Sequence, residues 1–154
     1  MSTRAVLLFL ALVASGALAQ TLEALPSTAN ARHFRLSEDG LRPARFDVDL
    51  PKTQAPAAGF PTVVVVPGLA CQAEDYTLLR RRLVQAGYAA ATFEWEDNED
   101  LDADDWDEHL AALTELLLAE ARDAQSALGG AIDAGRLGIV GHSLGGSVAV
   151  LAAA

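Results

Sequence analysis

One cysteine, Cys71, occurs in 154 residues, so no internal disulfide can form. In an oxidising compartment a single thiol stays free, pairs with another chain, or sits buried as a small apolar group. Positive charge is also scarce, with 11 Lys and Arg against 21 Asp and Glu. That balance excludes a chain built to bind nucleic acid or an anionic membrane. Histidine is rare too: His33, His109 and His142 are the only candidates for a neutral-pH base. No run after the first twenty residues is apolar enough to span a bilayer.

The first 19 residues read as an export leader. Arg4 supplies a positive start, residues 5–14 an apolar middle, and Ala17-Leu18-Ala19 a small-x-small cleavage site before Gln20. Secretion is the expectation, with no membrane span after cleavage. What remains is enough for one domain with a real core. We divide it into a lead-in and first strand over 20–44 and a single α/β domain over 45–154.

Apolar alternation predicts two strands, one with Phe34 and Leu36, the next with Phe46, Val48 and Leu50, joined near Asp39-Gly40. Residues 21–31 read as a polar lead-in. Thr62 to Val66 is a β-branched run of the kind buried on both faces of a parallel sheet, ended by Pro67-Gly68. Asp75 then caps a predicted helix with Tyr76, Leu79 and Leu83 inward and Arg80, Arg81 and Arg82 mainly outward. Residues 89–95 form the next strand. Trp106, Leu110, Leu113, Leu117, Ala121, Ala124 and Leu128 then mark a long helix ended by Gly129-Gly130. The last strand covers 136–140. Strands alternating with helices argue an α/β fold with a mostly parallel sheet and flanking helices.

Between Glu94 and Glu108 lie ten carboxylates. They lack the glycine and terminal glutamate of an EF-hand loop, and Asp102, Asp104, Asp105 and Asp107 suit the positive end of the helix that follows. A solvated loop is the reading, with no metal and no cofactor expected.

The chemistry concentrates in Gly141-His142-Ser143-Leu144-Gly145. A Gly-x-Ser-x-Gly run between a strand and a helix is the context of a nucleophilic serine. The tight turn needs small neighbours, supplied by Gly141, Gly145 and Gly146, and the helix start favours negative charge. The Val66-Pro67-Gly68-Leu69 turn closes the earlier buried strand where an oxyanion loop belongs. The amides of Leu69 and Leu144 would hold the developing negative charge. His142 adjoins the nucleophile and should point away from it. In this fold order an acid and then a histidine follow the serine, and residues 144–154 contain neither.

These residues resemble the secreted α/β-hydrolases grouped around chlorophyllases, cutinase-like polyester hydrolases and platelet-activating-factor acetylhydrolases. The resemblance rests on Val63 to Leu69, Tyr76 to Gly87, Ala89 to Phe93, Asp133 to Gly138 and Gly141 to Gly146. It implies the α/β-hydrolase fold and hydrolysis of a small-molecule, lipid or polyester ester through a Ser–Asp–His triad. Ser143 would be the nucleophile, Leu69 and Leu144 the oxyanion donors, and Gly141, His142 and Gly145 the elbow. Relatives with polyester activity often carry an aromatic and a methionine where this chain has Leu69 and Leu144. The expectation is the N-terminal part of a serine ester hydrolase, cut just after its nucleophile elbow and inactive alone. Other readings are a secreted acidic binding module, or an acyltransferase or peptidase on the same fold.

Overall fold

The computed structural model describes residues 20–38, 44–95 and 106–152. The leader, the Asp39-Gly40 turn and most of the acidic stretch lie outside them. Six strands form one sheet: β1 (Gln20–Ala24), β2 (Ala31–Glu38), β3 (Ala44–Asp49), β4 (Phe60–Val66), β5 (Ala89–Trp95) and β6 (Ile132–Gly141). Three helices accompany them: α1 (Thr77–Gln85), α2 (Trp106–Arg122) and α3 (Leu144–Leu151). A 3-10 turn, Ala73–Tyr76, leads into α1.

The strand order is β1-β2-β3-β5-β4-β6. From β1 to β5 the neighbours pair antiparallel, while β4 pairs parallel with both β5 and β6. The sheet is therefore mixed, and its parallel half carries the motifs singled out above. The chain leaves β4 for β5 on one side, then returns to β6 on the other. A crevice opens outside the carboxyl ends of parallel strands at such a reversal.

The two sheet faces differ in chemistry because side chains alternate along each strand. Phe46 and Val48 of β3, Val64 and Val66 of β4, and Ala91 and Phe93 of β5 face one way. They pack with Trp106, Leu110, Leu113 and Leu117 of α2 and Val148 of α3. This is the apolar core, and the helical spacing of the α2 residues is the pattern expected for it. On the other face lie Asp47, Asp49 and Thr92, with α1 packed above. Thr92 Oγ1 donates to Val65 O at 3.0 Å, so its hydroxyl is satisfied in place.

The α1 face departs from expectation in one respect. Arg80 is turned inward, 8% exposed, and meets Asp49 at 2.6 Å, while Leu79 is exposed. Asp49 offers a carboxylate beneath the helix, and the arginine stem covers apolar surface on the way to it. Asp75 belongs to the 3-10 turn rather than capping α1, its carboxylate accepting the Gln72 amide at 2.9 Å. The expected polar lead-in contains β1, paired along its whole length with β2. Helix α2 ends at Arg122, before the glycines. There the Asp123 carboxylate accepts from the Gln125 backbone N–H, and the Ser126 hydroxyl donates to the Glu120 carbonyl. Side chains that bond locally to backbone in this way compete with helix continuation.

A polar cluster ties β2 to β3. Asp47, 3% exposed, accepts from His33 Nδ1 at 2.6 Å and from Arg45 Nη2 at 3.0 Å. Burial pushes the Asp47 carboxyl up, but the Arg45 and His33 hydrogen bonds outweigh it and hold the group below the usual carboxylate range. Arg45 also reaches Glu74 of the 3-10 turn at 3.5 Å.

Candidate active site

Strands β4 and β6 run in register to their ends, with Val65 opposite Val140 and Val66 opposite Gly141. The His142 amide donates to Val66 O at 3.1 Å and extends that pairing by one step. The two chain segments that leave these strands therefore start side by side. One is the Pro67-Gly68-Leu69 loop and the other is the His142-Ser143 turn into α3.

Their contact is close because of glycine. A Cβ on Gly68 would sit 3.0 Å from His142 Nδ1 and 3.4 Å from Ser143 Cβ. A Cβ on Gly145 would overlap the carbonyl oxygens of Val66 and Pro67, and one on Gly141 would overlap Gly145 O. The motif glycines thus let backbone pack on backbone where any side chain would force the loop and the helix apart.

Ser143 stands at the sharp turn with φ 54° and ψ −124°. A non-glycine residue held at positive φ stores strain, and such strain collects at functional turns. Its side chain is exposed, and α3 starts at the next residue, Leu144. The first amides of a helix have no internal acceptor, so the Leu144 N–H is available beside the serine. Across from it, no acceptor among the described residues takes the Leu69 amide. The Leu69 side chain is 58% exposed. Ala70, next in the loop, also has positive φ, 57°, and Cys71 N closes the turn on Gly68 O at 3.0 Å.

Among the described residues, none of the three histidines is hydrogen-bonded to the Ser143 hydroxyl. His142 Nδ1 is 2.9 Å from the Tyr76 hydroxyl. His33 is bonded to Asp47 on β3, which two strands separate from β6. His109 is buried on α2 at 5% exposure. Ser143 has no side-chain hydrogen bond among the described residues. The structure therefore brings together Gly68, Leu69, Gly141, His142, Ser143, Leu144 and Gly145, and leaves His33 and His109 apart from them.

Tyr76 is the site neighbour that the sequence does not announce. Its hydroxyl accepts the Gly68 amide at 2.9 Å as well as meeting His142. Burial, then a hydrogen bond with Cys71, raises its pKa, so the group stays protonated. Cys71 itself is free and half-buried, at the end of the loop. Among the described residues no group of His, Cys, Asp and Glu could hold a metal ion, and no helix is long and apolar enough to cross a membrane.

A family model described as PET hydrolase-like matches residues 46–154. Solved structures are similar as well. A 2,6-dihydroxy-pseudo-oxynicotine hydrolase shares 26% identity at a TM-score of 0.63, over 80% of this chain and 33% of its own. An acetyl xylan esterase from Paenibacillus sp. R4 shares 15% identity at 0.60, over 88% and 49%. A ferulic acid esterase from Streptomyces cinnamoneus shares 20% at 0.56, over 75% and 49%. The chain thus spans a third to a half of the length of these structures. No curated protein matches it.

Proposed function

The chain belongs to the PET hydrolase-like family, and from that premise we propose that it carries the nucleophile and oxyanion half of a serine ester hydrolase. The observation that carries the reading is the strained Ser143, set on a strand-to-helix turn against the backbone of the Gly68 loop. The α/β-hydrolase fold supports it without deciding it, since one fold serves many chemistries.

In this reading the Ser143 hydroxyl attacks the ester carbonyl carbon. The carbonyl oxygen becomes an oxyanion, and the Leu69 and Leu144 amides hold it. Collapse expels the alcohol and leaves the acyl group on Ser143, and water then releases the acid. The hydroxyl proton must go to a base. His33 and His142 are engaged by Asp47 and Tyr76, and His109 is buried on α2. We assign the base to a group outside the described residues, which by themselves should turn over esters at a negligible rate. The substrate class is a small-molecule, lipid or polyester ester, and residues 1–19 direct the chain to secretion.

The test supplies the base from solution. The chain is exposed to p-nitrophenyl butyrate with imidazole, and acylated serines are mapped by mass spectrometry. An oxyanion site retains catalysis when triad members are missing, so Ser143 should acylate about a hundredfold faster than Ser27, Ser37, Ser126 or Ser147. Acylation spread evenly over these serines would defeat the reading. Steady p-nitrophenolate release without imidazole, abolished in Ser143→Ala, would show that the base is already present.

A further inference from the structure

We propose that the Tyr76 hydroxyl is a positioning group that latches the loop after β4 to the serine turn after β6, leaving the Leu69 amide rather than the Gly68 amide to face the oxyanion. The purpose of the latch rests on the serine-hydrolase reading. Its existence does not.

The proposed latch runs from the Gly68 amide through the Tyr76 hydroxyl to His142. The Gly68 N–H can only donate, so at 2.9 Å it fixes the Tyr76 oxygen as acceptor. The hydroxyl has one proton, for which His142 Nδ1 at 2.9 Å competes with the Cys71 sulfur. In the latch as proposed Tyr76 donates to Nδ1, and the His142 ring proton sits on Nε2. The ring planes are tilted by 58° with centroids 6.0 Å apart, an edge-on approach that leaves Nδ1 open to the hydroxyl.

Three consequences follow for the site. First, one oxygen from the 3-10 turn before α1 joins two chain segments that no other side chain bridges among the described residues. Only the His142 amide to Val66 carbonyl bond links them otherwise. Second, the Gly68 amide is consumed. The loop's next donor is Leu69 N–H, presented by the curl that Ala70 and the Cys71-to-Gly68 bond maintain. Third, the Nδ1 lone pair of His142 is occupied, which keeps the histidine nearest the nucleophile out of proton transfer. Glycine at 68 leaves the latch room, since a Cβ there would crowd Nδ1 at 3.0 Å.

Tyr76→Phe removes only the hydroxyl. Nitrogen-15 NMR of the full chain reads the His142 tautomer, and amide exchange reads Gly68. In the wild type Nε2 should carry the proton and Gly68 should be protected. In Tyr76→Phe Gly68 exchange should rise about tenfold, as expected for the loss of one hydrogen bond, with Val64 and Val65 exchange unchanged. Ser143 acylation by p-nitrophenyl butyrate with imidazole should slow by about tenfold if the loop loses its aim. A His142 proton on Nδ1 in the wild type overturns the proposed donation from Tyr76, whatever the variant does. Unchanged Gly68 exchange in a folded Tyr76→Phe chain also overturns it, and faster Gly68 exchange with unchanged Ser143 acylation overturns its positioning role. If the variant unfolds, which Val64 and Val65 would report, the wild-type tautomer decides alone. Failure of the wild type to acylate at Ser143 would defeat the hydrolase reading while the tautomer and exchange still judge the latch.

Discussion

Gly145 and Gly146 are neighbours at the start of α3, yet alanine should act on them in opposite directions. Both substitutions recover helix propensity of about 1 kcal/mol. At Gly146 the nearest atom to a new Cβ, outside its own helix, is Gly141 O at 3.4 Å, an ordinary contact. Gly146→Ala should therefore stabilise by about 0.5–1 kcal/mol. At Gly145 the new methyl overlaps the Val66 and Pro67 carbonyls. Both obstacles are backbone, so no rotamer change relieves them and α3 must move off the loop. Overpacking of this kind costs about 3 kcal/mol or more, leaving a net loss of about 2. The two variants should then differ by about 3 kcal/mol. With a urea slope near 2 kcal/mol/M, their midpoints should stand about 1.5 M apart. Fluorescence of the tryptophans, of which Trp106 is fully buried, follows the transition. Coincident midpoints would refute the claim that backbone contact at Gly145 holds the turn against the loop.

Two other perturbations test the polar face of the sheet. Asp47→Asn should cost about 1–3 kcal/mol at neutral pH, because it discharges a buried partner of His33 and Arg45. The folded Asp47 carboxyl lies below its ordinary value, so its stabilisation is complete above about pH 4 and is lost as pH falls through the folded value. The urea midpoints of wild type and variant should therefore converge in acid, and a constant gap down to pH 2 would contradict the assignment. Arg80→Ala should lose about 2 kcal/mol and Arg80→Met less than half of that, because methionine keeps the apolar stem while both remove the bond to Asp49. Thermal melts showing equal losses would place the arginine's value in its charge instead.

What could be read from the residues was whatever is encoded locally. The β-branched run of β4, the four-and-three spacing of Trp106, Leu110, Leu113 and Leu117, and the glycines around Ser143 each state a backbone requirement within a few positions. The features missed depend on partners remote in the chain. Strand β1 has little apolar pattern, since its existence comes from backbone pairing with β2. Arg80 turns inward only because Asp49 waits on β3. Tyr76 and His142 are 66 residues apart, and only the β4–β6 register brings them within hydrogen-bond distance. Helix α2 ends at Arg122 rather than at Gly129-Gly130 because the Asp123 and Ser126 side chains, a quieter signal than two glycines, bond the backbone there.

The parallel β4–β6 register also has a meaning in time. Strands β1, β2 and β3 are sequential neighbours and can pair as soon as each turn closes. Strand β6 must find β4 after β5 and α2 have intervened, and loop closure of that span is slow to offset. Until it happens Gly68 has no His142 beside it and Ser143 has no strained turn. The geometry of the loop and the serine is therefore a product of the β4–β6 pairing and is carried preformed by neither segment. Without that pairing neither segment holds the turn that sets Ser143 against Gly68.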